Sequence, residues 1–471
     1  MIFEQHYLDC LSQASYFIGD ETSKRAVVVD PRRDIAPYLE SAAEHGMAIE
    51  LVLETHFHAD FLSGHLELAH ATGATIAYGD KAVTEFESRK LAHGERISLG
   101  EVELEIRHTP GHTPESISIV VYERAGDVEP HAVLTGDTLF IGDVGRPDLL
   151  SSKGVTSEEL ASQLYDSLNE QLMTLPDSTR VFPAHGAGSA CGKNLSTETS
   201  STIGEQRGQN YALAPMSKDE FIAVVTEGQT APPAYFAYDA VLNREIRPIF
   251  DEAVPPRALN LHEVARAQRQ GAIVLDTREP DEFSAGHLLG SINVGLAGRY
   301  AEFAGGVIQP GVAIVLVAGE GQEMESKIRL ARIGFDNIIG YLDNPLGVFN
   351  ANPDDVARGS RVDVAGMQEA MERLDGVQVV DVRQPGETAG GVIPGAHLIP
   401  LTALNQKLAS LDASKPTIVY CAGGYRSSIA ASRLAAAGFH DVSDLLGGFG
   451  AWQGAGASVA SPDGSELAAT H

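Results

Sequence analysis

Short runs of β-branched and aromatic residues alternate with amphipathic stretches over the first half of the chain. RAVVVD, IELVLET, ATIAYG, VELEIRHTP, SISIVVYE and HAVLTGDTLF each read as strands. Residues 35–45 and 157–175 space their apolar positions three and four apart and predict helices. GRPDLL and PAHGAGS carry turn residues and read as loops. After Tyr211 the block closes in a helical tail, and Pro255-Pro256 marks its end.

The remainder of the chain is an internal repeat. AIVLDTREPDEFSAGHLLGSINV aligns with QVVDVRQPGETAGGVIPGAHLIP, and AIVLVAGEGQEMESKIRLARIGF aligns without a gap to TIVYCAGGYRSSIAASRLAAAGF. Each copy reads strand, acidic turn, Gly-rich loop, strand, loop, helix. That order predicts a small α/β unit with a parallel sheet. The polar stretch NPDDVARGSR reads as the linker between copies. Three domains are therefore expected, at 1–254, 255–355 and 356–471, giving a multidomain protein of α/β and α+β class.

Composition narrows the function. Over 471 residues the chain is 43% hydrophobic and 21% charged, which excludes a mostly disordered protein. Its 34 basic and 64 acidic residues leave a net charge of −30. Such a surface repels nucleic acid and anionic lipid, so neither is an expected partner. No apolar run reaches the ~18–20 residues that span a bilayer. The opening MIFEQHYLDC has neither a basic n-region nor an apolar h-region, and the expectation is a cytoplasmic protein. Cys10, Cys191 and Cys421 are too few and too scattered for a disulfide framework.

Candidate chemistry gathers at strand ends. THFHADF places His56, His58 and Asp60 just beyond an apolar strand, where alternate residues of extended chain face the same way. His112 sits in the turn TPGHTP, Asp137 follows the strand AVLTG, and His185 follows VFP. Imidazoles and carboxylates converging from four strand ends point to a metal site. This pattern resembles the metallo-β-lactamase fold, an αβ/βα sandwich whose motif is H-x-H-x-D-H with later His, Asp and His. The resemblance covers about residues 1–250 and departs at Phe61, where the motif has its last histidine. In dinuclear hydrolases of that fold this histidine, the preceding Asp and the final His hold the second metal. With only Asp60 and His185 left for it, one metal is expected rather than two.

Two imidazoles and a carboxylate match the facial triad of non-haem iron(II) oxygenases. The persulfide dioxygenases are the relatives this block resembles. The resemblance implies iron(II) held by His56, His112 and Asp137, with zinc as the alternative. His58, Asp60 and His185 become groups that orient the ligands or a weak second metal. FIGDVGRPDLL resembles that family's G-R-x-D loop and makes Arg146 a substrate-binding candidate; an ion pair with Asp148 or Asp143 is the competing reading. The segment SACGKNLSTETSSTIGEQR resembles the tail of persulfide dioxygenases fused to rhodaneses, and Cys191 within it is read as a buried small residue.

Cys421 directly follows the apolar strand TIVY and opens the loop CAGGYR. Glycines let backbone N–H groups turn toward the sulfur, and the helix start near Ser427 and Arg426 add positive charge. All three favour thiolate. The loop resembles the C-x-x-G-x-R loop of rhodanese sulfurtransferases, and DVR and IPGAHLIP fit the same family. Cys421 and Arg426 are the implied catalytic residues, with Gly423, Gly424 and Ser427 as anion-binding groups. The middle copy has Val317 where the last has Cys421 and Gln322 where it has Arg426, with Glu320 and Glu323 nearby, so it reads as a degenerate domain that packs or spaces its neighbours. Together these features imply oxidation of a low-molecular-weight thiol persulfide by O₂ to sulfite, coupled to sulfur transfer that makes or uses thiosulfate. A zinc-dependent glyoxalase II-like thioester hydrolase fused to a sulfurtransferase is the alternative. A homo-oligomer built through the first block is compatible with this reading.

Overall fold

The computed structural model describes residues 1–149, 154–229 and 232–463; Leu150 of the GRPDLL loop lies outside them. The chain divides into one unit of Met1–Glu252 with Ala331–Gly334 and another of Ala253–Leu330 with Phe335–His471.

The first unit holds two six-stranded sheets. One runs β1 (Ile2–Leu8), β2 (Gln13–Gly19), β3 (Arg25–Val29), β4 (Ala48–Leu53), β5 (Thr75–Gly79), β6 (Arg89–Leu91) in spatial order. Its first two pairings are antiparallel and the other three parallel. The second has β7 (Arg96–Ser98), β8 (Glu103–His108), β9 (Ile117–Tyr122), β10 (Ala132–Gly136), β11 (Arg180–Pro183) and β12 (Ser201–Thr202) side by side, with only β10 and β11 parallel. Inward residues of both sheets, among them Tyr16, Val27, Leu53, Ile106, Ile119 and Leu134, form one buried core. Outward residues of the first sheet pack on helix Ala36–His45 through Tyr38 and Ala42. Those of the second pack on helix Ser157–Asp166 through Ala161 and Leu164. Thr156 and Glu159 start that helix with a reciprocal capping box. Helices on both outer faces give the expected αβ/βα sandwich.

The sequence pattern missed β1 and β2. Every residue of β2, QASYFIG, is buried, so no polar alternation marks it. The predicted helix at 157–175 is α-helical over Ser157–Asp166 and continues as a π-helical turn over Ser167–Leu172.

The second unit contains two five-stranded parallel sheets of one design. The spatial order is Ala258–Leu259, Ile338–Leu342, Ile314–Val317, Ile273–Asp276, Ile292–Asn293 in one and Ser360–Val362, Val442–Leu445, Thr417–Tyr420, Gln378–Asp381, His397–Leu398 in the other. The repeat in sequence is a repeat in topology. Arg278 forks onto Asp276 and reaches the Gly286 carbonyl, and Arg383 does the same with Asp381 and Gly391. The stretch read as a linker is structured instead. Val356–Ala357 pairs with His287–Leu288, and Ser360–Val362 is an edge strand of the last sheet. Such two- and three-residue strands are too short for a periodic signal.

Asp20 ties the two layers of the first unit together. Its buried carboxylate accepts the N–H groups of Thr22 and Ser23 beside β2 and those of Glu101 and Val102 before β8. Burial alone would raise its pKa; the donors outweigh burial and bring it down to about 2. Asp20→Ala is expected to cost about 2 kcal/mol near neutral pH. The depressed folded value means this contribution is complete above the unfolded carboxyl pKa of ~3.9. It is lost as the pH falls toward 2, so thermal melts of mutant and parent converge over that window.

Candidate metal centre and sulfur-carrier loop

The side chains expected at a metal site sit where the strands of both sheets end. His56, His58 and Asp60 follow β4, His112 follows β8, Asp137 follows β10 and His185 follows β11. All six are buried. His56, His112 and Asp137 offer one ligand atom each within 4.8 Å of one another. Asp137 Oδ2 lies 3.7 Å from His56 Nε2 and 3.5 Å from His112 Nε2. Both Asp137 Oδ2 and His56 Nε2 are buried without a hydrogen bond. Two imidazoles and a carboxylate meeting at such unsatisfied atoms fit a divalent cation.

The ligand rings are held from behind. His112 Nδ1 is 2.9 Å from the Arg146 carbonyl, and His56 Nδ1 is 2.9 Å from Thr55 Oγ1, which itself donates to Asp30. Thus each Nε2 faces Asp137 while each Nδ1 is tied to the scaffold. Burial pushes His56 well below its usual pKa, with His58 next to it acting in the same sense. Burial would raise Asp137, but His185 and His56 outweigh it and hold the carboxyl far below the ordinary range. The site favours an ionised carboxylate beside a neutral imidazole, the protonation states that bind metal.

The other expected groups separate. His185 bridges two carboxylates, with Nδ1 2.7 Å from Asp137 Oδ1 and Nε2 2.7 Å from Asp60 Oδ2. Asp60, His185 and Cys191 form a second group of ligand-type atoms within 4.8 Å of one another. The expectation that only Asp60 and His185 remain beside the main triad is therefore revised, because the fold returns Cys191 to them. His58 belongs to a third group with Asp30 and Glu54. Its Nε2 lies 3.1 Å from Asp30 and 3.4 Å from Glu54, and these carboxylates overcome burial to hold its pKa up at about 10. Phe61 packs on the same imidazole at 4.2 Å between ring centroids. Sequence reading missed Asp30 and Glu54. Asp30 follows the buried strand β3 as Asp137 follows β10, so the rule that selected one could have selected the other.

Arg146 is buried and forks onto Asp148 at 2.7 and 2.8 Å, with a third bond to the Ala190 carbonyl. Its backbone carbonyl is the atom that holds His112 Nδ1.

In the last repeat Cys421 is buried at the end of strand Thr417–Tyr420. The Gly424 N–H donates to its sulfur at 3.1 Å, which requires Gly424 at φ 107°. Ser427 Oγ lies 3.6 Å from the same sulfur, and Gly423 is exposed on the loop. Arg426 adds less free charge than its sequence position suggests, since Glu387 takes it in a fork at 2.7 and 2.6 Å. In the middle repeat Val317 is fully buried at the position equivalent to Cys421.

Residues 8–185 match the metallo-beta-lactamase superfamily, and residues 260–348 and 366–455 each match the rhodanese-like domain. The solved metallo-beta-lactamase from Staphylococcus aureus subsp. aureus COL is 33% identical, with a TM-score of 0.65, and the match covers 72% of this chain and 98% of that one. The human protein persulfide dioxygenase ETHE1, mitochondrial, is 28% identical over 212 residues, 45% of this chain and 75% of its own. The hydroxyacylglutathione hydrolase-like protein of Mus musculus is 33% identical over 172 residues, 36% of this chain and 56% of its own. No helix among the described residues is long and apolar enough to cross a membrane.

Gly145 tests how the triad is positioned. A Cβ there would lie 1.9 Å from the Asp137 carbonyl oxygen and 3.2 Å from His112 Cβ. Gly145→Ala must shift its own loop or one of these two residues. Its metal affinity, measured by competition with a chelator, is expected to fall about 10–100-fold while the fold is retained.

Proposed function

This chain belongs to the metallo-β-lactamase superfamily and carries two rhodanese-like domains after that fold, the arrangement of a persulfide dioxygenase–rhodanese fusion, and from it we propose a bifunctional sulfur enzyme. The observation that carries the reading is the three-residue group His56, His112 and Asp137, combined in one chain with a separate cysteine loop built to hold sulfur. A triad leaves coordination positions open, as the binding of two reactants requires.

The metal these residues suit is iron(II), and when bound it would supply the redox chemistry with O₂. The proposed reaction converts a thiol persulfide, O₂ and water to the thiol, sulfite and two protons. His56 and His112 would present their Nε2 atoms to such a cation because Thr55 and the Arg146 carbonyl hold Nδ1. Asp137 supplies negative charge and stays ionised because His185 braces its other oxygen. Phe61, at the position of the motif's last histidine, packs on the His58 imidazole and offers no ligand atom.

Cys421 is the sulfur carrier of the second activity. Its thiolate takes the outer sulfur of a persulfide and releases the thiol. Sulfite then attacks that sulfur, giving thiosulfate and regenerating the thiolate. The Gly424 N–H and the start of helix Tyr425–Ala436 stabilise negative charge on the sulfur. The product of one site is the acceptor of the other.

The test is oxygen uptake by iron-loaded protein given glutathione persulfide, with sulfite and thiosulfate assayed in parallel. His112→Ala is expected to abolish oxygen uptake and leave thiosulfate-to-thiol sulfur transfer intact. Cys421→Ser is expected to do the reverse. Thioester hydrolysis by zinc-loaded protein without oxygen uptake on any thiol persulfide would instead support a hydrolase.

A further inference from the structure

The middle repeat has no sulfur nucleophile, yet it meets the catalytic loop of the last repeat within the second unit. The contact is a strip of backbone at residues 295–298, just beyond the strand Ile292–Asn293. The Tyr425 hydroxyl, on the residue after Gly424, lies 2.5 Å from the Gly295 carbonyl and 3.1 Å from that of Ala297. The intervening carbonyls are used by the middle repeat itself. Arg329, on helix Glu323–Ala331 of the middle repeat, donates to Leu296 O at 2.5 Å and to Gly298 O. The four consecutive carbonyls of this bent strip thus serve both donors.

The strip is also fixed to its own sheet. Val294 and Leu296 donate to the Asp276 and Thr277 carbonyls, both at 2.9 Å. The catalytic helix is fixed to it twice over. Beyond Tyr425, the Asn293 N–H donates to Ser432 Oγ at 2.9 Å, two turns along the same helix. The Tyr425 ring packs on Phe303 of the middle repeat at 5.5 Å, and a Cβ at Gly295 would sit 3.4 Å from its Cε2.

We propose that the middle repeat is a positioning partner of the catalytic loop: the carbonyl strip holds Tyr425, and through it the Gly424 N–H that faces the Cys421 sulfur. This assigns a function to a domain that has lost its own site. Tyr425 and Arg329 are positioning residues, since neither contacts the sulfur. The inference rests on the reading of Cys421 as the sulfur carrier.

Tyr425→Phe in the full chain removes the hydroxyl and keeps the ring against Phe303. The turnover number for sulfur transfer from thiosulfate to a thiol is expected to fall about tenfold, with KM for thiosulfate nearly unchanged, because misplacement of a reacting group costs rate rather than binding. Alkylation at Cys421, followed by peptide mass, is expected to move its pH midpoint upward, since the Gly424 donor no longer faces the sulfur. Arg329→Met frees the strip from helix Glu323–Ala331 and is expected to give the same two changes. The double variant should then be no worse than the more affected single variant, as for two residues acting through one element. Parental turnover and an unshifted alkylation midpoint in Tyr425→Phe would overturn the proposal, and so would fully additive losses. Sulfur transfer that survives Cys421→Ser sinks the carrier reading itself. Transfer that needs Cys421 but ignores Tyr425 sinks only the positioning role.

Discussion

The first unit is organised around a carboxylate that has no access to water. Asp137 is fully enclosed, and an enclosed charge must be matched by charge or by donors. Three imidazoles arriving from three other loops meet that requirement. Each can arrive only if its strand ends at the right height, which the staggered sheets provide. Each ring must also be turned, which Thr55, the Arg146 carbonyl and Asp60 accomplish. The sandwich core, the tight Gly145 contact and the Asp20 tie between layers all serve this one register.

The same constraint accounts for what could be read in the sequence. Strand, turn and ligand recur together because a polar residue directly after a buried strand has nowhere to go but the site. His56, His112 and Asp137 announce themselves by that rule, and the structure brings them together. Cys191 does not follow a strand; it returns to Asp60 and His185 through a loop whose path depends on long-range packing. Glu54 is hidden directly after β4, where a single acid following Leu53 resembles the polar end of a strand. Strand β2 is hidden for the opposite reason, being covered on both faces. The charge on Arg426 was legible but its partner was not, because Glu387 lies thirty-nine residues away.

Duplication and divergence are visible at atomic detail in the second unit. Both copies keep the aspartate–arginine fork that closes the turn after the second strand of each repeat, because it satisfies buried carbonyls wherever the chain makes that turn. The copies differ where chemistry was demanded of only one. Val317 packs into the core at the position where Cys421 receives an N–H. Tyr425 and Ser432 of the last copy reach polar atoms on the middle copy's backbone.

A carbonyl strip donates no side chain, so its contribution is invisible to any comparison of residue identities. Residues 318–323 of the middle copy carry no sulfur nucleophile. Residues 294–297 act through their path rather than their side chains, while Asn293 is also held by its side chain on the Asp276 and Arg278 carbonyls. The copy that lost its reagent is thereby held to a shape rather than to a sequence, and the last copy is not a portable module: moved alone into another chain, it would carry a tyrosine hydroxyl whose acceptors, and a helix serine whose donor, had been left behind.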